Sequence, residues 1–347
     1  MKIVLSERQW GKESMDGNKT GKLSNSNFVV RYFRENGGIM IALLLLCAFF
    51  ALNSEAFLTR KNLINVLRQI SMNGIVAVGL TYTLLVVGVD LSVGSVISAA
   101  GCLAVLLLVQ GLPLPLCFLA ALLLGAVVGT CNGTLISVVG MPPFIATLTM
   151  QTIVRGVAYA ITGGYPTLFD NDTFYSIGNG YIGIIPVPVI IMFTVFLIAS
   201  IVLNKTRHGR NMYAVGGNKE AALFSGINNK KVILCSYIIS GCLAAITGII
   251  MMARLSSAQP TAGEGMESDA IAAAVIGGTS FSGGIGKVGG TLIGALIIGV
   301  LNNGLNLLGV EFYWQYIAKG LVLGAALIID ILKNNKEFSL KAIFGKR

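Results

Sequence analysis

Long runs of apolar residues, separated by short polar segments, repeat along this chain from Gly37 almost to Asp330. A helix needs about 20 mainly apolar residues to cross the hydrocarbon core of a bilayer, and a shorter helix is tolerated where its neighbours bury it. The pattern therefore predicts an all-α protein, a polytopic bundle of transmembrane helices. We predict about ten spans, at residues 37–54, 66–88, 91–110, 114–138, 143–163, 182–203, 232–253, 269–283, 288–308 and 313–332.

The eighth predicted span, 269–283, is too short and too rich in glycine for a simple crossing. We expect a broken or re-entrant helix there, since such breaks are tolerated where protein or a water-filled cavity surrounds the freed backbone. The 43 glycines of the chain indicate close helix packing, because small residues let helix backbones approach each other in lipid. Packing faces are predicted at two pairs spaced four residues apart, Gly125 with Gly129 and Gly290 with Gly294.

The charge pattern sets the predicted orientation. Only 12% of the residues are charged, whereas a soluble domain carries about 25%. The net charge of +10 comes mainly from Lys and Arg in the N-terminal stretch, in the segment 205–231 and after Lys333. Because cytoplasmic flanks are rich in Lys and Arg, both termini and this segment are predicted to be cytoplasmic, in agreement with ten crossings. These charges do not indicate a nucleic-acid surface.

Three basic residues do not fit this distribution. Arg60, Lys61 and Arg68 lie near the start of the second predicted span, which the same count places on the outer side. An interfacial helix there would reduce the mismatch.

The same patterns divide the chain into three parts. We predict a flexible polar cytoplasmic tail at residues 1–36, because this stretch is polar and shows no apolar periodicity. Residues 37–332 form the predicted membrane domain, with a cytoplasmic loop at 204–231. Residues 333–347 form a basic cytoplasmic tail.

No catalytic or cofactor site is expected. The six cysteines are scattered without a CxxC pair, and the single histidine, His208, lies among basic loop residues, so neither a metal site nor a His-based triad is indicated. The segment 284–289 matches GxGxxG, but no strand precedes it, and Lys287 is followed by Val288 rather than Ser or Thr. It therefore fits neither a dinucleotide fingerprint nor a phosphate-binding loop. A membrane enzyme is disfavoured for the same reasons.

Charged residues inside or beside the spans carry more information, because an ionisable group at bilayer depth is costly unless it is paired or faces water. The charged candidates are Asp90, Arg155, Arg254, Asp269 and Lys319. Asp90 lies where glycines interrupt two apolar runs. This segment is either a helix break that lines a pathway or a tight cytoplasmic turn in which Asp90 caps the next helix. Arg155 is expected to face a cavity or a carboxylate, with a purely structural ion pair as the alternative.

Groups that are polar within apolar spans are the predicted lining of a translocation pathway. A neutral, hydroxyl-rich solute would need modest hydrogen-bonding groups rather than a deep charged trap, which would slow its release. The predicted lining residues are Asp90, Ser92, Asn132, Thr147, Arg155 and Asn303.

The cytoplasmic loop holds a predicted short helix outside the bilayer. Asn218 suits the N-cap, Glu220 suits the positive end of the helix dipole, and Gly226 suits the terminator. Two preceding glycines would allow a sharp turn, and residues 221–224 would expose an apolar surface with no membrane to cover it. A partner protein is the natural occupant, and packing of the loop on its own bundle is the alternative. The residues assigned to this helix are Gly216, Gly217, Asn218, Glu220, Ala221, Ala222 and Gly226.

Eight short blocks occur in one order along residues 55–332. They are Gly88-Val-Asp-Leu-Ser-Val-Gly-Ser95, Pro143-Phe-Ile-Ala-Thr-Leu148, Arg155-Gly156, Gly216-Gly-Asn-Lys-Glu-Ala-Ala222, Arg254-Leu-Ser-Ser-Ala-Gln-Pro260, Asp269-Ala-Ile-Ala-Ala273, Gly277-Gly-Thr-Ser280 and Leu301-Asn-Asn-Gly-Leu-Asn306. In these blocks the chain resembles the permease subunits of bacterial ATP-binding-cassette importers for pentoses and related sugars, most of all the ribose-type permease. It departs from that pattern at Gly265-Met-Glu-Ser-Asp269, where the family shows an aromatic residue and a leucine around the acidic residues.

The resemblance implies a multi-pass protein of the plasma (inner) membrane that works with three kinds of partner. These are a second permease copy, as a homodimer or a paired heterodimer, an extracytoplasmic sugar-binding protein, and a cytoplasmic ATPase that uses ATP. This chain itself would bind no cofactor. The helix at 216–226 would be the coupling helix that sits in a groove of the ATPase, and the bundle would alternate between inward-open and outward-open states.

The resemblance does not fix the solute. Ribose is the first expectation, with galactose, xylose, autoinducer-2 or another small polyol as alternatives in the same role. An ion-coupled secondary transporter is the rival from another class, since it would also be polytopic and glycine-rich. Such a carrier needs no apolar helix for a cytoplasmic partner and would more naturally hold a carboxylate at the membrane centre for its ion.

Overall fold

The computed structural model describes the backbone of residues 28–334 and the side chains of residues 37–332. Most of the two predicted tails, 1–36 and 333–347, therefore lies outside the described residues. The helices of this region are α1 (Phe28–Asn53), α2 (Arg60–Leu85), α3 (Val93–Val109), α4 (Leu114–Thr134), α5 (Pro143–Thr162), α6 (Asp172–Asn179), α7 (Val187–Lys205), α8 (Arg207–Gly217), α9 (Lys219–Phe224), α10 (Asn229–Leu255), α11 (Met266–Ile276), α12 (Val288–Leu307) and α13 (Phe312–Asn334).

Each of the ten predicted apolar segments contains a helix, which confirms the all-α polytopic class. Within the described residues, seven helices are long and apolar enough to cross a membrane, namely α2, α4 with the π-helical turn Leu135–Val139 that extends it, α5, α7, α10, α12 and α13. The apolar part of α1, Gly37–Asn53, and α3 are shorter. The first helix begins at Phe28, inside the segment predicted to be a polar tail.

The eighth segment is the short helix that the sequence predicts. Helix α11 ends at Ile276, and irregular backbone follows as far as Lys287, where α12 begins. Most of its side chains are buried, including the run from Asp269 to Val275. Neighbouring helices thus surround it, as a broken helix inside a membrane requires.

Two helices form the centre of the bundle. Every residue of α2 from Ile70 to Leu85 is buried, and α10 lies against α2, α3 and α4. At the periphery, α1 packs on α12 and α13 packs on α11. Many of the outward-facing side chains are large and apolar, for example Leu197 and Leu321. Such a surface suits a protein whose solvent is lipid rather than water.

Glycines bring the helix backbones together at the predicted faces. A Cβ atom on Gly125 would collide with the carbonyl of Gly241 on α10, and one on Gly129 would collide with the carbonyl of Tyr237. Gly290 and Gly294 of α12 approach the carbonyls of Gly277 and Ala273 in the same way, which confirms both predicted packing faces. Gly101 of α3 and Gly248 of α10 form a further close approach.

The bundle has two distinct ends. At one end, which we call the strand end, β1 (Thr167–Leu168) pairs antiparallel with β4 (Ser257–Ala258), and β2 (Tyr181–Ile182) pairs with β3 (Ile185–Pro186). Helix α6 lies in the same segment of chain. Helices α8 and α9 form the other end, because α7 leads from β3 to α8 and α10 leads from α9 to β4. We call it the coupling end after the coupling helix that is expected at 216–226. Neither α6, α8 nor the strand pairs were predicted from the sequence.

We expect Gly129→Val to destabilise the protein, because its methyl groups would be forced against α10 where the backbones touch. Overpacking of this kind costs about 1–3 kcal/mol, sometimes more. The apparent melting temperature of the detergent-purified protein should fall by several degrees. Gly324→Val is the matched control, since a Cβ atom at this position on α13 meets nothing within 4 Å. Equal melting temperatures for the two variants would contradict the packing role of Gly129.

Candidate functional site

A seven-residue break, 86–92, separates α2 from α3 and carries the buried carboxylate of Asp90. One oxygen of Asp90 accepts hydrogen bonds from the backbone N–H of Ser92 at 3.1 Å and from its hydroxyl at 2.6 Å. The other oxygen accepts from the Ser240 hydroxyl of α10 at 2.8 Å. The first two bonds close a turn at the start of α3, a geometry for which Asp is favoured.

Two more side chains join this group. The Asn132 amide of α4 donates to the Ser92 hydroxyl at 2.8 Å and reaches Asp90 at 3.5 Å. The Tyr237 hydroxyl of α10 donates to the carbonyl of Val89 at 3.2 Å. We call Asp90, Ser92, Asn132, Tyr237 and Ser240 the Asp90 cluster. It connects the break to α4 and α10.

The Asp90 cluster brings together three of the six predicted lining residues, Asp90, Ser92 and Asn132. The sequence analysis missed Ser240 and Tyr237, although both are polar residues within an apolar run and the same criterion could have found them. Asp90 is 1% exposed, so it lines no open surface in this conformation. Its bonds at the start of α3 favour the turn interpretation, whereas its enclosure by α4 and α10 shows that the turn is internal.

Arg155 holds a second irregular segment in the bundle. Its guanidinium donates to the carbonyls of Pro260 and Ala262 at 2.7 and 2.9 Å. The hydroxyl of Ser98 on α3 also donates to Pro260, at 2.7 Å. The hydrogen bonds of Arg155 thus go to backbone carbonyls. The carboxylate of Glu267 on α11 also lies near enough to interact with it electrostatically, in agreement with the expectation that Arg155 faces a carboxylate. Ser98 and Arg155 thus supply hydrogen bonds to backbone carbonyls of the segment 256–265, in which β4 is the only regular element.

The two remaining predicted residues lie elsewhere. Thr147 is buried and its hydroxyl donates to the carbonyl of Pro143 in its own helix, at 2.9 Å. Asn303 of α12 exchanges two amide hydrogen bonds with Asn62 of α2, at 2.9 and 2.8 Å. The six residues therefore do not form one lining in this structure, and their shared role in translocation stays a prediction.

The other charged candidates also have partners. Asp269 accepts hydrogen bonds from the ammonium of Lys319 at 3.0 Å and from the Asn302 amide at 2.9 Å, so that α11, α12 and α13 meet at one carboxylate. Arg254 donates to the side-chain oxygen of Asn65 at 2.6 Å. Pairing of this kind is how ionisable groups persist at membrane depth.

The coupling end contains the predicted short helix. The Asn218 side chain caps α9 by accepting from the N–H of Ala221 at 2.9 Å, and Glu220 lies in the first turn. Gly226 follows the helix with a φ of 80°, a conformation that favours glycine. The N-cap, the acidic first turn and the terminator are thereby confirmed.

Two details of this segment differ from the prediction. Gly216 and Gly217 end the preceding helix α8, so the change of direction falls at Asn218, which is extended. Ala222 is buried rather than exposed, whereas Ala221, Leu223 and Phe224 are exposed as predicted, Leu223 at 60% and Phe224 at 89%. Successive side chains of a helix point in different directions around its axis, so four consecutive residues cannot all face away from the bundle, and Ala222 is the one that faces it.

Helix α8 is fastened to the end of α2. A Cβ atom on Gly216 would strike the carbonyl of Leu85 and the N–H of Gly284. The N–H of Gly284 donates to the same Leu85 carbonyl at 3.0 Å. The hydroxyl of Tyr213 donates to the carbonyl of Gly286 at 2.7 Å. Leu85 is the last residue of α2, so α8 touches the chain directly before the break at 86–92.

Two titratable groups of α8 are affected by burial. Desolvation lowers the pKa of His208 below its usual value and raises the pKa of Tyr213. His208 lies on a helix and is half-buried, whereas a solvated loop was expected. Within the part of the chain that the structure describes, no group of three or more His, Cys, Asp or Glu side chains could hold a metal ion.

Comparisons with known proteins agree with this architecture. A family model described as "Branched-chain amino acid transport system / permease component" matches residues 62–329. This range begins in α2, ends in α13 and includes the Asp90 cluster and the coupling end. No solved structure matches the chain.

Several individual relatives are permeases named for sugars. The ribose import permease protein RbsC of Haemophilus influenzae is 46% identical over 91% of this chain and 99% of its own length. The D-allose transport system permease protein AlsC of Escherichia coli is 39% identical over 88% of this chain and 94% of its own length. The xylose transport system permease protein XylH of Haemophilus influenzae is 34% identical over 86% and 96%.

The match with the family model covers most of the chain, and the relatives are aligned over nearly their whole length. The apolar helices place the chain in the membrane as a multi-pass protein. The chain therefore belongs to the family of transport permease components and, within it, is a ribose-type sugar permease of the ATP-binding-cassette class in the inner membrane.

Proposed function

We propose that this chain forms the translocation pathway of an ATP-driven importer for a monosaccharide and that ribose is its first candidate solute. The order of identities supports ribose, because identity is 46% with a ribose permease, 39% with a D-allose permease and 34% with a xylose permease. The family description names branched-chain amino acids, but these relatives are named for sugars. Galactose, autoinducer-2 and other small polyols are the alternatives within this role.

The proposed assembly has a second permease copy, identical or homologous, an ATPase at the coupling end and a sugar-binding protein at the strand end. The ATPase binds and hydrolyses ATP, and this chain does no covalent chemistry. Its role is to change between two conformations that expose the pathway to opposite sides of the membrane. A conformational change follows ATP binding only if the ATPase binds the two conformations with different affinity.

Basic residues set the proposed orientation. Lys205, Arg207, Arg210, Lys230 and Lys231 all lie at the coupling end. An excess of Lys and Arg marks the cytoplasmic side of short loops, so this end faces the cytoplasm. The ten apolar segments then leave both termini in the cytoplasm and the strand end outside.

The observation that carries the proposal is the exposed apolar surface of α9. Leu223 and Phe224 project from the coupling end, which the charges assign to water rather than lipid. Exposed aromatic and aliphatic side chains at such a position favour a protein interface with an apolar centre. A cytoplasmic ATPase is the partner that a permease of this family needs.

A continuous path of contacts leads from α9 to the bundle interior. Helix α9 follows α8 directly, and the Asn229 amide at the start of α10 donates to the carbonyl of Lys219 at 2.7 Å. Helix α8 contacts Leu85 through Gly216. Leu85 precedes the break that holds Asp90, so we propose that movement of α9 shifts this break. Such a path gives the ATPase a mechanical route to the Asp90 cluster.

We expect Phe224→Asp to abolish binding of the ATPase. The substitution places a charge at the centre of the proposed interface, and loss of an aromatic anchor there typically costs about 2 kcal/mol or more. This binding is measured by copurification of the tagged permease with the ATPase that a neighbouring gene encodes. Because Phe224 is 89% exposed, the fold should be unaffected.

The matched control is Leu168→Asp, at the strand end, where the side chain is 77% exposed. This variant should retain the ATPase. If both variants copurified with the ATPase as well as wild type does, α9 would not be the coupling helix.

We expect Ser240→Ala to reduce sugar uptake in proteoliposomes that contain the ATPase and the binding protein. The variant removes one hydrogen bond to a buried carboxylate, worth about 1.5–3 kcal/mol, and loosens the Asp90 cluster. Ser236→Ala is the control one turn earlier, because the buried Ser236 hydroxyl donates only to Val232 of its own helix. Equal uptake by the two variants would show that the cluster has no part in transport.

The solute and the energy source are tested together with the wild-type assembly. Uptake of ribose, D-allose, xylose and galactose is measured with ATP present and with an ion gradient alone. ATP-dependent uptake of ribose above the other sugars is expected. Uptake driven by the ion gradient without an ATPase would contradict the importer proposal and favour a secondary transporter.

A further inference from the structure

A cavity of about 240 Å³ lies between α11 and α13. Its polar lining comes from Glu264, Ser268, Asp269, Tyr316 and Lys319. None of these residues belongs to the Asp90 cluster or to the predicted lining set. The cavity therefore calls for an explanation of its own.

Two charged side chains at this cavity, Asp269 and Lys319, lie within the helix bundle, where burying a charge costs free energy. Lys319 lies within α13, and Asp269 lies in a short helix packed among α2, α12 and α13. The two side chains meet at 3.0 Å, and Asp269 is 8% exposed by side chain. An ionisable pair inside a membrane bundle is by default a functional feature, because apolar residues would fill the same space without the cost of burying charge.

The rest of the lining suits a small amphipathic solute. Ala272, Ile298 and Leu323 supply apolar wall, and the ring of Tyr316 supplies an aromatic surface. Ser268 and Tyr316 offer hydroxyls beside the carboxylates and the ammonium. The volume is below the range of about 300–1,000 Å³ that is typical for drug-sized ligands. Apolar walls with a few convergent polar groups are the usual composition of a ligand site.

The cavity is open to one side of the bundle. Glu264 and Ser268 are exposed, and Tyr316 is 62% exposed. An exposed carboxylate beside a span is costly in lipid, so water or a second copy must cover this side. A solute moving along that side could therefore enter the cavity without a change in the bundle.

We propose that this cavity is the solute subsite of the pathway and that it takes a neutral polyol of monosaccharide size. The inference rests on the proposed transport function. A sugar hydroxyl both donates and accepts hydrogen bonds, so it can pair with the carboxylates of Glu264 and Asp269 and with the ammonium of Lys319. The aromatic ring of Tyr316 can pack against the C–H face of a sugar. Glu264 and Asp269 outnumber Lys319, so the subsite repels anionic sugars.

Two variants test the subsite in the reconstituted transporter with its ATPase and binding protein. Ser268→Trp introduces an indole into the cavity, and Tyr316→Phe removes one hydroxyl. The readout is the amount of ribose moved per ATP hydrolysed, with ATP hydrolysis measured in the same vesicles. Leu321→Trp, at an outward position 70% exposed, and Tyr313→Phe, on the same helix, are the matched controls.

We expect Ser268→Trp to lower ribose moved per ATP at least about tenfold, and Tyr316→Phe to lower it about two- to tenfold, the effect of one lost hydrogen bond. Both controls should stay within about twofold of wild type, a difference below 0.5 kcal/mol. Unchanged ratios in Ser268→Trp and Tyr316→Phe would overturn the subsite, and so would uptake and ATP hydrolysis that fall together. A wild-type transporter that hydrolyses no ATP in response to sugar would instead overturn the proposed function.

Discussion

The structure depends on burying irregular backbone inside a protein that has lipid for a solvent. No water is present in the bilayer core to satisfy free N–H and C=O groups, so non-helical backbone at that depth must be satisfied by protein. Two largely buried irregular segments, 86–92 and 256–265, make a similar demand, because burial also takes their backbone groups away from water. The Asp90 cluster supplies hydrogen bonds to the first segment, and Ser98 with Arg155 supplies them to the second. Four of the six residues predicted to line the pathway, Asp90, Ser92, Asn132 and Arg155, thus support these two segments.

Glycine makes that support possible. Hydroxyl and amide groups hold a broken segment only when the neighbouring helices come near enough to reach it, and the apolar drive between helices is weak in lipid. The contacts of Gly125 and Gly129 bring α4 against α10. That approach places Asn132 and Ser240 on the two sides of Asp90. The small residues and the buried polar residues therefore act together: the glycines bring the helices close, and the polar side chains then reach the broken segment.

The sequence predicted the helices well because the length of an apolar run is a direct consequence of bilayer thickness. It also predicted the caps of α9, which depend only on nearby residues. The predictions from sequence were wrong or incomplete where contacts between segments that are distant in the chain determine the structure. Nothing near Arg155 indicates that its partners are carbonyls about a hundred residues later in the chain. Helix α8 was missed because it is short, polar and stabilised by its contacts with Leu85 and Gly284. The polar lining was predicted as one set, because polarity within a span does not reveal which other span it faces.

The two irregular segments also suit the conformational change that the proposed function requires. A continuous helix resists bending along its whole length, whereas a break concentrates the change in a few residues, and hinges are usually such element ends. The break at 86–92 lies beside α8 at one side and against α4 and α10 at the other. It is held by a handful of hydrogen bonds that another arrangement could replace. The same backbone that is costly to bury is therefore the part of the bundle that the proposed ATPase partner would shift most easily.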